Sequence, residues 1–318
     1  MKMQKWTVST QRAGKRCGIR KRCIRKHENP MELRSNNKRK TPDPYPVVQN
    51  PKGRNCTFLA TESPFYWDSI VNFDEESHTY QVEGNTITLT ASGVVNKGFE
   101  PFESEAVIAK CLPSWRRNTQ SPYNALVKDL DDAEAESAIK LAWKRTADLG
   151  NQIHLFVEQI LNNASPIPHP DLLRETEQVC SFLNSTRWKI VRTELAMFYR
   201  DLNDEVIVAG MLDMLFQDSH GRFYIIDLKR TNCLISHDAA SYGRFGKGIC
   251  STLPDTKFIK YSLQCAVYSL MFTQLTGHEV HATFVLQVHS LLPSYKLIRL
   301  KDLRVHAANL LLGTESVD

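Results

Sequence analysis

No uninterrupted apolar run in this 318-residue chain is long enough to cross a bilayer, so no membrane partner is expected. No apolar stretch follows the basic N-terminus, and a secretory signal is therefore not expected either. The eight cysteines (Cys17, Cys23, Cys56, Cys111, Cys180, Cys233, Cys250, Cys265) lack the regular spacing of a disulfide framework and read as reduced thiols. Cys17, Cys23 and His27 have no second ligand pair at finger spacing, which removes the zinc-finger reading. Internal repeats and a helicase motor motif are also missing. What is present is ordinary globular material: 42% apolar and 24% charged residues, enough for a sizeable core.

The net charge of +5 conceals a division. Residues 1–54 carry 16 Lys+Arg against 3 Asp+Glu, while the rest carries 24 against 32. An acidic body needs a local basic groove or bound cations to approach a phosphate backbone. The basic segment has few large apolar residues and ends in Thr41-Pro-Asp-Pro-Tyr-Pro46, so it reads as a disordered tail ahead of a folded domain spanning 55–318. Its clusters, Lys15 to Lys26 and Lys38-Arg-Lys40, fit a nuclear import signal or a nucleic-acid arm. A mitochondrial presequence fits the scarcity of acids but not the lysine clusters, and a solvated tail without a partner is the plain alternative.

Short strands are predicted over Val71–Phe73, His78–Val82 and Thr86–Leu89, with Glu83-Gly-Asn85 as a hairpin turn. Helical pattern runs from about Phe102 to Ser185, densest over the proline-free stretch Asp131–Asn163. Three prolines, Pro166, Pro168 and Pro170, precede another helix with Asp171 as its expected N-cap. The pattern then changes to strands over Trp188–Tyr199, Val206–Phe216 and Phe223–Leu228, joined by turns at Asp201–Asp204 and Asp218–Gly221. A Gly- and Ser-rich loop, Thr231 to about Lys257, leads to a helix over Ile259–Leu275 closed by Gly277. Two more strands, His281–Val288 and Tyr295–Leu300, and a last helix complete an α/β domain around a central mixed sheet flanked by helices.

Chemistry concentrates on two of these strands. Gly210-Met-Leu-Asp213 and Asp227-Leu-Lys229 lie across a short hairpin, and two carboxylates brought together this way are costly unless neutralised. A hard cation such as Mg²⁺ or Mn²⁺ does so, because it prefers oxygen ligands. Alternation along the strand points Asp227 and Lys229 the same way, placing an amine beside the ion. A Lewis acid, a positioned nucleophile and a cation near developing charge are what phosphodiester hydrolysis requires. Alone, Asp-x-Lys is expected by chance about once in a chain this size and then marks an exposed ion pair. Context strengthens it: Ile225-Ile226 mark a buried strand, and Gly210 keeps space near the second acid.

Gly150, His154 and Glu158 stack at i, i+4, i+8 on the earlier helix. The glycine would permit close approach of another backbone or of substrate, and the histidine could ligate a metal supported by Glu158. The plain alternative is a satisfied surface histidine and an exposed acid. Gln264 and Tyr268 share a face of the later helix and could bond phosphate, base or water, or Tyr268 could simply pack in the core. Glu194 is either a metal-site neighbour or an exposed strand carboxylate.

In order, Gly150-x-x-x-His154-x-x-x-Glu158, Glu194, Gly210-x-x-Asp213, Asp227-x-Lys229 and Gln264-x-x-x-Tyr268 resemble the RecB-like branch of the PD-(D/E)XK nucleases, which includes lambda-type exonucleases. The resemblance runs from about Phe73 to His289 and takes in Thr90-Ala-Ser-Gly-Val94 and Trp143. It implies a restriction-endonuclease-like core. It also implies metal ligation by Asp213, Asp227, the Leu228 carbonyl and His154, with Lys229 as the catalytic lysine. Glu158, Gln264 and Tyr268 would support the site or contact DNA, single-stranded or as an end-bearing duplex. Asn151 stands where Thr is frequent, and the cysteines do not form the set that some relatives use for an iron–sulfur cluster. A catalytically silent, nuclease-derived DNA-binding or structural protein is the competing expectation.

Overall fold

The computed structural model describes residues 58–313 apart from Glu76 and His78, so the expected basic tail and its clusters lie outside the described residues. These residues form two compact units: 58–101 together with 149–313, and Phe102–Asp148. In chain order the helices are α1 (Phe58–Glu62), α2 (Ala91–Lys97), α3 (Ser104–Arg117), α4 (Asn124–Val127), α5 (Asp132–Leu161), α6 (Leu173–Ser185), α7 (Lys257–Thr276) and α8 (Arg304–Leu312). The strands are β1 (Val71–Asp74), β2 (Thr79–Val82), β3 (Asn85–Ile87), β4 (Lys189–Arg200), β5 (Val206–Gln217), β6 (Phe223–Arg230), β7 (Val280–Val288) and β8 (Lys296–Arg299). Among the described residues no helix is long and apolar enough to cross a membrane.

The larger unit is built on a five-stranded mixed sheet ordered β4-β5-β6-β7-β8. Its pairs are antiparallel except β6 and β7, which run parallel because α7 carries the chain back over the sheet. Apolar residues alternate between the two faces of β6. Tyr224, Ile226 and Leu228 pack with Ile153, Phe156 and Val157 of α5 and with Val179 and Phe182 of α6. Ile225 faces α2, α7 and α8, where Val94, Leu263, Phe272 and Ala307 are buried. Burying one such side chain contributes about 1.5–3 kcal/mol, so the sheet is held from both sides. On the α5–α6 side Trp188 stacks on Tyr224 with ring centroids 4.3 Å apart.

Boundaries follow local chemistry. Thr256 Oγ1 caps α7 by accepting from Ile259 N–H, and Gly277 ends it at φ 72°. Glu83 and Gly84, both at positive φ, turn β2 into β3. At the expected Asp171 cap the structure differs. The prolines first impose a 3₁₀ turn, Pro170–Leu172, and His169 Nδ1 accepts from Asp171 N–H in place of an aspartate cap. A smaller three-stranded sheet, β1-β2-β3, sits in the same unit. Arg192 ties β4 to the segment before β1 through two 2.8 Å bonds to the Asp68 carboxylate.

The smaller unit has its own core of Ile108, Leu112, Val127, Ala135 and Ile139. Asn124 donates to the Trp115 and Arg116 carbonyls at the end of α3, and Trp143 Nε1 donates to Tyr123 Oη at 2.8 Å.

Candidate metal centre

The site forms where regular pairing between β5 and β6 stops. Their ladder runs from Gln217–Phe223 to Met214–Ile226 and ends there. One residue further, Asp213 Oδ2 accepts the Leu228 N–H at 2.6 Å, taking the place a backbone carbonyl would hold. Asp213 therefore sits in the fork between two strands. On its other side, Thr193 and Leu195 of β4 pair with Met214 and Leu212, so Glu194 falls across from Asp213. Glu194 has φ 44°, a left-handed backbone inside a strand, and is only 6% exposed. Such a conformation costs about 1–3 kcal/mol and is kept only where the surroundings enforce it.

His154 reaches this fork from α5. Its Nε2 lies 2.9 Å from the Leu228 carbonyl, and a carbonyl can only accept, so Nε2 carries a proton. Nδ1 then faces the two carboxylates, 3.5 Å from Asp213 Oδ1 and 3.6 Å from Glu194 Oε1. Ligand atoms of His154, Glu194 and Asp213 all lie within 4.8 Å of one another and could hold a metal ion. Anchoring the distal ring nitrogen on a backbone carbonyl is how proteins orient a metal-binding imidazole.

Asp227, expected to flank the same ion as Asp213, is not one of these three residues. Its carboxylate is held by Lys229 Nζ, at 2.9 Å from Oδ1 and 2.8 Å from Oδ2. The shared direction of Asp227 and Lys229 along β6 makes that contact. The Leu228 carbonyl, expected as a ligand, keeps one lone pair beyond the bond from His154. Glu194, left open by the sequence, offers the third ligand atom of that group.

Electrostatics binds all five groups into one system. Burial works against a charged His154, but the Asp213 and Glu194 carboxylates outweigh it and lift the imidazolium to about 10. Asp213 is pushed up by burial and pulled further down by His154, Lys229 and the Leu228 N–H, so its pKa lies below the usual value. Burial raises Asp227 to about 6; Lys229 opposes the rise and the Asp213 charge adds to it. Burial also disfavours the Lys229 ammonium, which Asp227 and Asp213 nevertheless hold above its usual pKa. Three carboxylates thus face one lysine and one histidine, and a divalent cation among them would relieve the excess negative charge. One imidazole nitrogen with two carboxylates is a donor set that can hold a divalent cation.

The other expected residues fall into two groups. Gln264 and Tyr268 meet on one face of α7: Gln264 Nε2 lies 3.2 Å from Tyr268 Oη and 3.5 Å from Ser92 Oγ at the start of α2, and Tyr268 is near enough to feel the Asp213 and Asp227 charges. Tyr268 is buried, and a Cβ on Gly210 would come within 3.0 Å of its ring, so Gly210 makes room for a core tyrosine. Glu158 is buried on the His154 face of α5 rather than exposed. Beside Gly150 the space is open: among the described residues nothing lies within 4 Å of where its Cβ would be, so no other backbone approaches there and room for a substrate is left.

Three residues escaped the sequence reading. Lys229 Nζ sits 5.2 Å from the centroid of the Tyr261 ring, a cation–π contact. Tyr261 precedes Gln264 by three positions and Tyr268 by seven, so helical spacing could have found it. Ser92 belongs to the Thr90-Ala-Ser-Gly-Val94 stretch, whose Thr90 Oγ1 caps α2. Gln287, 1% exposed, lies beside Lys229 in the parallel register and donates to the Thr231 and Cys233 carbonyls. A glutamine inside an apolar strand was its signal.

No family model and no curated protein matches this chain. Among solved structures, SSO0001 is similar at 13% identity and TM-score 0.29, over 67% of this chain and 87% of that one. A protein from Eubacterium rectale, provisionally named an exonuclease, is similar at 15% identity and TM-score 0.34, over 71% of this chain and 77% of that one. At these values neither likeness bears on what this chain does. The chemistry rests on the side chains themselves.

Proposed function

We propose that this protein is a divalent-metal-dependent nuclease that hydrolyses DNA phosphodiester bonds, with Asp213, Asp227 and Lys229 as its catalytic residues and His154 and Glu194 beside them. The observation that carries the proposal is the fork: a histidine and two carboxylates within 4.8 Å, next to a buried Asp–Lys pair. An ion there would supply a Lewis acid for a phosphate oxygen and lower the pKa of a bound water.

The residues of the chain do the rest. Asp213 is fixed by the Leu228 N–H and His154 by the Leu228 carbonyl, so two ligands are aligned by one residue's backbone. Lys229 stays charged against Asp227 and donates to a non-bridging phosphate oxygen or to the attacking water. The water oxygen forms a bond to phosphorus as the phosphorus–O3′ bond breaks, leaving a 5′-phosphate and a 3′-hydroxyl. Gln264 and Ser92 offer neutral donors at the rim, suited to phosphate or sugar contacts.

The test is cleavage of end-labelled linear and closed circular DNA with Mg²⁺ and Mn²⁺, by the intact chain and by Asp227→Ala and Lys229→Ala. We expect metal-dependent cutting by the intact chain and a loss of about 10²–10³ or more in each variant. Cutting that survives both substitutions would overturn the assignment. Cleavage of the circle would exclude an obligate exonuclease.

A further inference from the structure

The segment between β6 and α7 carries a second observation. It leaves the sheet after Arg230, one residue past Lys229, and enters the helix whose Tyr261 ring lies 5.2 Å from Lys229 Nζ, so it joins two elements that meet at Lys229. Its root is pinned: Gln287 Nε2 donates to the Thr231 and Cys233 carbonyls, and Thr231 N–H donates to the Val288 carbonyl. Its returning half is packed tightly. Lys247 N–H donates to the Gly98 carbonyl at 2.8 Å, Phe245 bridges to Pro254, and Asp255 N–H donates to the Arg244 carbonyl. Any Cβ on Gly246 would come within 2.5 Å of the Cys250 carbonyl oxygen and 2.7 Å of that of Gly98. Only glycine fits that approach.

Between root and return stands a tight turn, Ser241-Tyr-Gly-Arg244, closed by Arg244 N–H to the Ser241 carbonyl at 3.0 Å. Its two central residues have φ 54° (Tyr242) and 74° (Gly243). Asn, Asp or Gly take the first central position of such a turn at little cost, whereas a bulky aromatic residue there is a genuine outlier. The Tyr242 side chain recovers nothing by packing, because the residue is 87% exposed. Phe245, 52% exposed, follows three positions later. Between Asp238 and Asp255 the loop holds two cations, Arg244 and Lys247, and Lys247 lies 3.5 Å from Glu100. Among the described residues no carboxylate pairs with the Arg244 guanidinium.

We propose that Tyr242 and Phe245 form a stacking platform for unpaired bases, with Arg244 on the adjacent phosphate, so that the strand entering the metal centre is single-stranded. The proposal rests on the nuclease reading and names its substrate class. Exposed aromatic rings interleaved with basic side chains suit bases and phosphates together. A blunt duplex offers no free base faces along its length. The turn strain at Tyr242 is then retained for a ligand rather than for the fold.

The experiment measures binding of a labelled oligothymidine and of a blunt duplex of equal length to the intact chain in EDTA, where nothing is cut. Tyr242→Asn and Phe245→Ala should each weaken single-strand binding about 5- to 100-fold and leave duplex binding unchanged. Arg244→Gln should reduce the salt slope by about one released ion. Tyr242→Asn should melt no lower than the parent, since asparagine suits the turn; a purely structural ring would lower it. The proposal is overturned if the double variant binds single strands as the parent does, or loses single-strand and duplex binding together. A parent that cuts DNA while the double variant binds normally sinks the platform alone. A parent that binds single strands through these rings yet never cuts with metal sinks the nuclease reading instead.

Discussion

Adding and removing metal should change the stability of the fold itself, because Glu194, Asp213 and Asp227 crowd negative charge that Lys229 and His154 only partly offset. A ligand that binds only the folded state stabilises it by RT ln(1 + [L]/Kd), about 2.7 kcal/mol at a hundred times Kd. For a domain of 150–250 residues each kcal/mol moves Tm by about 2–4 °C, so saturating metal should raise Tm by roughly 5–10 °C over EDTA. Asp213→Asn retains an amide oxygen to accept the Leu228 N–H, and the fork should survive while one ligand charge is lost. If affinity falls about a hundredfold, the same metal concentration is near Kd, and the gain shrinks to about 0.4 kcal/mol, or roughly 1 °C. Scanning calorimetry with Mn²⁺, Mg²⁺ or EDTA measures both. Because an imidazole nitrogen is among the donors, Mn²⁺ should shift Tm at lower concentration than Mg²⁺. An equal shift in the parent and in Asp213→Asn, or none in the parent, would refute the metal centre.

Three further outcomes follow from single contacts. Glu194→Asn relieves a left-handed backbone and a buried charge at once, so the metal-free protein should melt at or above the parent while its metal shift shrinks; a fall of more than about 4 °C would contradict the strain. Arg192→Ala strands the Asp68 carboxylate and should cost about 3 kcal/mol by urea titration, toward the low end for a buried pair because Asp68 keeps some solvent contact; a loss under about 1 kcal/mol would mean the pair is incidental. Asp218 is depressed despite burial by Arg222, Tyr224 and backbone donors, so its stabilisation is present above the ordinary carboxylate range and lost as pH falls below it; Asp218→Asn should flatten the Tm–pH curve between about pH 2 and 4, and an unchanged curve would argue against it.

Much of this was legible in the sequence, and each exception has its own local cause. Strand alternation put Asp227 and Lys229 on one side, and the structure joins them at 2.8 Å. Helical spacing put His154 and Glu158 on one face: Glu158 is buried, and half-buried His154 reaches the Leu228 carbonyl. Glu194 was ambiguous because its direction depends on a positive φ that no residue type announces at that position. Asp213 was expected beside Asp227 on a continuing ladder of strands; past Met214 the strands part, and its carboxylate turns to a backbone N–H beside His154 and Glu194, a placement that alternation along a strand does not report. The Asp171 cap failed because three neighbouring prolines changed the helix entry. Local patterns report faces and periods; they do not report where a ladder stops.

That stopping point is what makes the site chemically useful. A continuous β5–β6 ladder would spend the Leu228 N–H on a β5 carbonyl and leave Asp213 pointing off the sheet. Because the ladder ends, the backbone of one residue serves two candidate ligands: Leu228 N–H holds Asp213, and the carbonyl of Leu228 holds His154. A helix from one face and strands from the sheet are thereby brought to a common point without a flexible loop, which limits positional error to that of packed elements. Lys229 stands two residues before the 231–256 loop, and with the proposed platform a phosphate at the fork and a base on Tyr242 would belong to one strand path. The two readings meet in a single measurement. Arg244→Gln should weaken single-strand binding at low salt and raise KM for cleavage while leaving the metal-induced Tm shift intact. A variant that lost the Tm shift as well would show that loop and metal centre are one structural unit, and the separation of roles argued from the fork would fail.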